Sequence, residues 1–223
     1  HTFRSFGYGP IETPHLEYAE ILTHQGGEEI QKELYRFLDH GERDVALRFD
    51  LTVPLARFIS QHKNDLGLPF RRYCVGNVFR GERAQAGRYR EFTQCDFDCI
   101  GSTSLSVDAE TIQIMHDSLL ALGITEFTIS LNHRHLMNGL CEHLGLSEQT
   151  ESILRAIDKL DKIGSEKVRG ELEGLQIPSG SIDQILAFIE HKGSGESFFT
   201  SLRPLCVNEA MQESLQELQQ VMA

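Results

Sequence analysis

No apolar run in this chain approaches the roughly 20 residues that a membrane-spanning helix requires. No basic stretch followed by an apolar segment marks a secretory leader. The chain opens on His rather than Met, in a segment that already reads as structured, so it is expected to begin inside a larger product. Paired cysteines are also lacking. Cys74, Cys95, Cys99, Cys141 and Cys206 are an odd set without a CxxC pair, which argues for reduced thiols rather than a disulfide framework. Cys95 and Cys99 sit four apart in an alternating segment, which places both on one strand face as small packing residues. The ten histidines form no zinc-type spacing; His133 and His135 read as surface or structural residues. A cytoplasmic, non-membrane protein is the expectation. Low-complexity bias is absent too, and with 40% apolar residues the chain has enough to bury a core.

Positive charge is scarce overall. The formal net charge is −12, which disfavours a module that binds RNA chiefly through its phosphates. The charge is unevenly spread, however. Residues 71–90 hold six arginines against one acid, so a local anionic ligand there is credible.

Along the chain, Gly7, Gly9, Pro10 and Pro14 punctuate an opening read as a helix end and then a strand at Ile11–Thr13. Residues 29–38 have helix-like content. The alternation of Val45, Leu47 and Phe49 predicts a strand over Arg43–Asp50, with Pro54 in the first turn of a helix to about Gln61. Phe70–Arg80 and Phe92–Ile100 alternate again and are joined by a Gly- and Arg-containing loop, which predicts a hairpin. Asp108–Leu122 then carries Ile112, Met115, Leu119 and Leu122 at helical period. A strand over Thr125–Leu131 and a short helix over Leu136–Leu144 follow. From Ser147 to about Phe199 only helical patterns occur, and a last helix covers Asn208–Val221. The fold class is α+β, an antiparallel sheet first and helices after.

Chemistry concentrates on the hairpin. A guanidinium fits phosphate oxygens two at a time and keeps its charge. At the end of a rigid strand it is preorganised for charge that builds up during reaction. A solvated arginine face is the ordinary alternative. It fits poorly here, because the face carrying Phe92, Gln94, Asp96 and Asp98 would sacrifice burial unless something polar binds it.

Phe79-Arg80-x-Glu82-Arg83, followed by Gly87-Arg88-Tyr89-Arg90-Glu91-Phe92-x-Gln94, resembles motif 2 of class II aminoacyl-tRNA synthetases in its histidyl version. Leu47–Pro54 and Gln94–Asp98 resemble the eukaryote- and archaea-like branch of the histidyl-tRNA synthetase family. Phe6–Pro14 resembles motif 1 at the dimer interface, and Ile157–Gly164 resembles the start of that branch's helical insertion. The likeness runs over nearly the whole chain.

That resemblance implies a class II antiparallel sheet flanked by helices, with a small all-helical insertion. The implied division is a partial catalytic core over 1–146, the insertion over 147–205, and a helix returning to the core over 206–223. It also makes part of residues 29–38 a strand. The implied ligands are ATP with Mg²⁺, histidine and tRNA(His), in a homodimer formed through the motif 1 region. Arg80 would grip the α-phosphate as the catalytic arginine. Glu82 would accept from the adenine amino group, Phe92 would stack on the adenine, and Arg88 would reach the outer phosphates. Asp50, Thr52 and Gln94 would hold the α-ammonium of histidine, with Asp98 on the imidazole. No dedicated protein ligands for the metal are implied.

The family also carries an Arg-Gly-Leu-Asp-Tyr-Tyr segment, motif 3 and an anticodon-binding domain, none of which occurs before Ala223. The chain is therefore expected to be a fragment with little activity alone. The main rival is the regulatory subunit of ATP phosphoribosyltransferase, a histidine-sensing relative that does not charge tRNA. The intact arginine loop and the helical insertion argue against that rival.

Overall fold

The computed structural model describes residues 1–24, 28–83 and 85–223, with residues 28 and 29 described through their backbone alone. The chain forms two compact units, His1–Thr125 and Glu126–Ala223. This division lies elsewhere than the boundaries after 146 and 205 drawn from the sequence.

In the first unit, helix α1 (Thr2–Ser5) leads into strand β1 (Gly9–Pro10), which runs parallel to a later strand. Pairing starts here rather than at Ile11–Thr13, because Tyr8 is sunk in the core and fixes the entry. Its ring packs edge-on to Phe97, and its hydroxyl donates to Glu110 at 3.1 Å. Burial and that carboxylate push the Tyr8 phenol up to about 12. Strand β2 (Leu16–Tyr18), helix α2 (Ala19–Thr23), helix α3 (Glu28–Glu33) and strands β3 (Arg36–Leu38) and β4 (Asp44–Leu47) follow. Residues 29–38 thus divide into the end of a helix and a strand. β2 and β3 flank β4 in an antiparallel sheet. Its inner face buries Ala46 against Ala19 and Leu22. Helix α4 (Thr52–His62) closes this part, and its Arg57 makes an ion pair with the buried Glu17.

Strands β5 (Phe70–Phe79) and β6 (Glu91–Ile100) form the long hairpin, in register from Phe70 opposite Ile100 to Phe79 opposite Glu91. Side chains alternate across a strand, so the hairpin has two unlike faces. Tyr73, Phe97 and Cys99 pack on the cluster of Phe3, Tyr8 and Ile114. Cys95, on that same face, stands exposed rather than packed, because it lies farther along the strand than this cluster reaches. Helix α5 (Leu105–Ala121) ends the unit, with the Ser104 side chain accepting from the Ser106 N–H. Its buried residue is Ile114, whereas Met115 and Leu122 of the stripe read from the sequence are exposed. Thr125–Leu131 is not a strand. Alternation needs a neighbouring strand to become a ladder, and no described strand pairs with it.

The second unit is all helical. Helices α6 (Arg134–His143), α7 (Thr150–Ile157), α8 (Leu160–Ile163), α9 (Ser165–Gly174), α10 (Ser179–Ile189) and α11 (Gly195–Leu202) precede α12 (Glu209–Met222). They enclose one core that includes Leu136, Ile153, Leu172, Ile185, Met211 and Leu215. Helix α12 packs on α6. Asn208 caps α12 by accepting from the Met211 N–H at 3.0 Å, and its amide donates to the Gly139 carbonyl at 2.8 Å. Glycine is what permits this approach. A Cβ at Gly139 would lie 2.6 Å from Met211 Cγ. His133 is a structural residue, with Nε2 2.9 Å from Glu217.

Gly139→Ala is expected to destabilise the helical unit by about 1–3 kcal/mol, the usual cost of overpacking a tight contact. Chemical denaturation followed by helical circular dichroism measures it. An unchanged midpoint would show that Met211 yields freely.

Candidate functional site

The second face of the hairpin carries the candidate site. By alternation and register it presents Arg72, Cys74, Gly76 and Val78 from β5, with Phe92, Gln94, Asp96 and Asp98 from β6, and Arg80 follows directly on β5. Two arginines on or beneath this face are almost wholly buried, Arg72 at 1% exposure and Arg48 at 2%. Arg48 donates to the carbonyls of Asn77 and Thr13, both at 2.7 Å, and lies 3.2 Å from His15 Nε2. Burial lowers its pKa. Gly76 makes room for it, since a Cβ there would stand 2.5 Å from Arg48 Nη2.

Arg80 sits where β5 gives way to the loop. Its Nε donates to the Phe49 carbonyl at 3.3 Å, and its guanidinium lies 4.4 Å from the Phe49 ring centre and 5.1 Å from that of Phe92. Two rings and a carbonyl thus hold a cation in place. The loop is fastened at its base, where Gly81 N–H donates to the Glu33 carbonyl at 2.7 Å and Arg80 N–H to the Arg90 carbonyl at 2.8 Å. Gly87 turns the tip with a φ of 79°. Ala84 lies outside the described residues.

Arg80, Glu82, Arg88 and Phe92 line one cavity of about 510 Å³, together with Phe49 and Tyr89. Glu82 and Arg88 make an ion pair at 2.9 Å, so without a ligand they neutralise each other. Gln94 and Asp98 continue the same face along β6. Asp50 lies just before α4, where its Oδ1 accepts from the N–H groups of Thr52 and Val53 at 3.0 and 2.9 Å. It therefore caps that helix. Thr52 lines a different, more apolar cavity of about 670 Å³ with Val53, Ala56 and Arg57.

Several buried polar atoms on this face have no hydrogen-bond partner among the described residues: Arg72 Nε and Nη2, Gln94 Oε1 and Asp98 Oδ2. Arg72 Nη2 and Asp98 Oδ2 lie 2.5 Å apart as an ion pair. Each is thus matched by the other's charge. A buried acceptor left without a donor is costly, and Gln94 Oε1 marks a place where a ligand's donor fits. Burial also raises the Asp96 pKa, with Asp98 and Asp50 adding to the rise and Arg72 and Arg80 opposing it.

Sequence reasoning passed over Arg48, Phe49 and Arg72. The available signal was the alternation itself. Arg48 follows directly on β4, two residues past the fully buried Ala46, and Arg72 shares its side of β5 with Cys74 and Val78.

A model of the family described as histidyl-tRNA synthetase matches residues 1–223. A protein of Wolinella succinogenes named histidine–tRNA ligase is 62% identical over 218 residues, covering 96% of this chain and 49% of that protein. A solved histidyl-tRNA synthetase from a Nostoc species superposes with a TM-score of 0.86 at 36% identity, covering 99% of this chain and 50% of its own. A Bacillus halodurans structure is titled an ATP phosphoribosyltransferase regulatory subunit/histidyl-tRNA synthetase. It matches with a TM-score of 0.83 at 25% identity, over 99% of this chain and 56% of that one. The chain spans about half the length of these relatives.

Gly76→Ala is expected to displace the Arg48 guanidinium and to cost about 1–3 kcal/mol. Arg48→Met, which leaves two carbonyls unpaired, should cost more, about 3–5 kcal/mol. Thermal unfolding reads both. A Gly76→Ala protein as stable as the parent would show that Arg48 has room to move.

Proposed function

We propose, for a chain that belongs to the histidyl-tRNA synthetase family, that its hairpin face is the ATP- and histidine-binding part of a histidine–tRNA ligase. The fold is the α+β arrangement of that family's solved structures. The observation that carries the reading is Arg80, a cation held between Phe49 and Phe92 at the mouth of a cavity.

In this reading a carboxylate oxygen of histidine attacks the α-phosphorus of ATP. The bond to the bridging oxygen breaks and pyrophosphate leaves, giving histidyl-adenylate. The 3′ end of tRNA(His) then takes the histidyl group, and AMP departs. No covalent enzyme intermediate is needed, so positioning and electrostatics do the work. Arg80 faces the α-phosphate, where charge builds up. Phe92 supplies a ring face for adenine, Glu82 accepts from its amino group, and Arg88 exchanges Glu82 for the outer phosphates. Asp50 and Gln94 take the α-ammonium, with Thr52 beside them, and Asp98 takes the imidazole. Among the described residues, the carboxylates lining the cavity are Glu33 and Glu82. Among the described residues no cluster of three metal-ligating side chains occurs. This donor set fits a Mg²⁺ ion held mainly by phosphate oxygens, where it would neutralise their charge.

The reading also includes a cytoplasmic homodimer joined through the motif 1 region, Phe6–Pro14. The helical residues 147–205 are an insertion in the catalytic core. No helix among the described residues is long and apolar enough to cross a membrane. A histidine-sensing regulatory subunit is the second reading, favoured by the double title of the Bacillus halodurans relative.

Histidine-dependent ATP–pyrophosphate exchange separates the two readings. In the protein extended to the length of its relatives, exchange is expected, and Arg80→Ala should lower it by about a hundredfold or more, as loss of one preorganised charge does. Histidine binding without exchange would transfer the case to the regulatory reading.

A further inference from the structure

Arg72 has no place in the scheme above, yet it is the most buried charge on the site's face. It stands directly across the ladder from Asp98 and touches that carboxylate at 2.5 Å. Burying a guanidinium is expensive unless something holds it. Here the holder is Asp98, whose side chain keeps 33% of its surface open against 2% for Arg72. One end of the pair is therefore sealed in the sheet, and the other faces the side from which a ligand arrives.

Four residues along β6 from Asp98 and on the same face, Gln94 presents a buried Oε1 that has no donor among the described residues. The face thus offers two acceptors, and an amino acid with a ring N–H brings two donors, that N–H and the α-ammonium. A carboxylate offers acceptor oxygens only, so Asp98, held in its ion pair with Arg72, can take a hydrogen bond from a ring N–H and has nothing to give a ring that bears only a lone pair.

We infer that Arg72 is a positioning residue for amino-acid selection: through the ion pair it holds the Asp98 carboxylate in place as the acceptor for the ligand's ring N–H. The site then takes a ring that donates an N–H and refuses a ring of equal size that only accepts. This rests on the reading of the face as a histidine site and adds the residue that makes the site selective. Arg72 does not touch the ligand. It acts through Asp98.

The test uses the extended protein and two probes, histidine and β-(thiazol-4-yl)alanine, whose ring has nearly the same outline but no N–H. Calorimetry gives a dissociation constant for each, and the readout is their ratio. The parent is expected to favour histidine by on the order of a thousandfold, as sites built around a buried hydrogen bond do. Arg72→Gln and Arg72→Met both remove the charge, and whichever folds, by thermal melting, serves. Either should shrink the ratio by about tenfold or more, by weakening histidine. Arg72→Lys should keep most of the preference. A ratio unchanged in a folded neutral variant would overturn the role of Arg72 alone, as would a Lys variant no more selective than the neutral ones. No histidine binding by the parent would overturn this inference and the histidine-site reading together.

Discussion

The pairing of β5 with β6 is the constraint on which the candidate site depends. Ten successive residues of each strand are in register, and the side-chain period of a strand is two. A slip of β6 by one residue would turn Gln94 and Asp98 into the apolar cluster, and Phe97 out of it. The aromatic packing of Phe3 and Tyr8 on Tyr73 and Phe97 therefore does more than fill a core. It fixes which face remains polar, and hence where the charges stand.

Beneath that face the protein keeps two buried guanidinium groups, each matched differently. Arg48 is matched by backbone carbonyls of Thr13 and Asn77 and ties the segment after β1 to β5. Arg72 is matched by charge, with its hydrogen bonds incompletely met. A buried ion of the first kind ties backbone segments together. One of the second kind is held by a single carboxylate whose other side stays open to a ligand.

The loop obeys the same logic at the surface. Arg80 is held by rings and a carbonyl and does not depend on a carboxylate partner. Its charge remains available to an anion in the cavity. Glu82 and Arg88 are paired with each other instead, and that pair is mostly on Arg88's exposed side, where water and a competing phosphate both reach it. Exposed ion pairs are worth little, so exchanging Glu82 for phosphate is inexpensive.

By itself, the sequence determined the α+β class, the hairpin and the helical second half, because periods of two and 3.6 and the placement of Gly and Pro are local signals. It also determined the family, through the run from Phe79 to Gln94. Tertiary structure alone decided what those residues meet. The strand expected at Thr125–Leu131 needed a neighbour that no local pattern can supply. The stripe of Met115 and Leu122 looked buried by period, yet Ile114 is the residue that packs. Arg72 and Arg48 read as ordinary basic residues among many. Their burial, and with it their role, follows from which strand lies across from them, and that is settled only when distant segments pair.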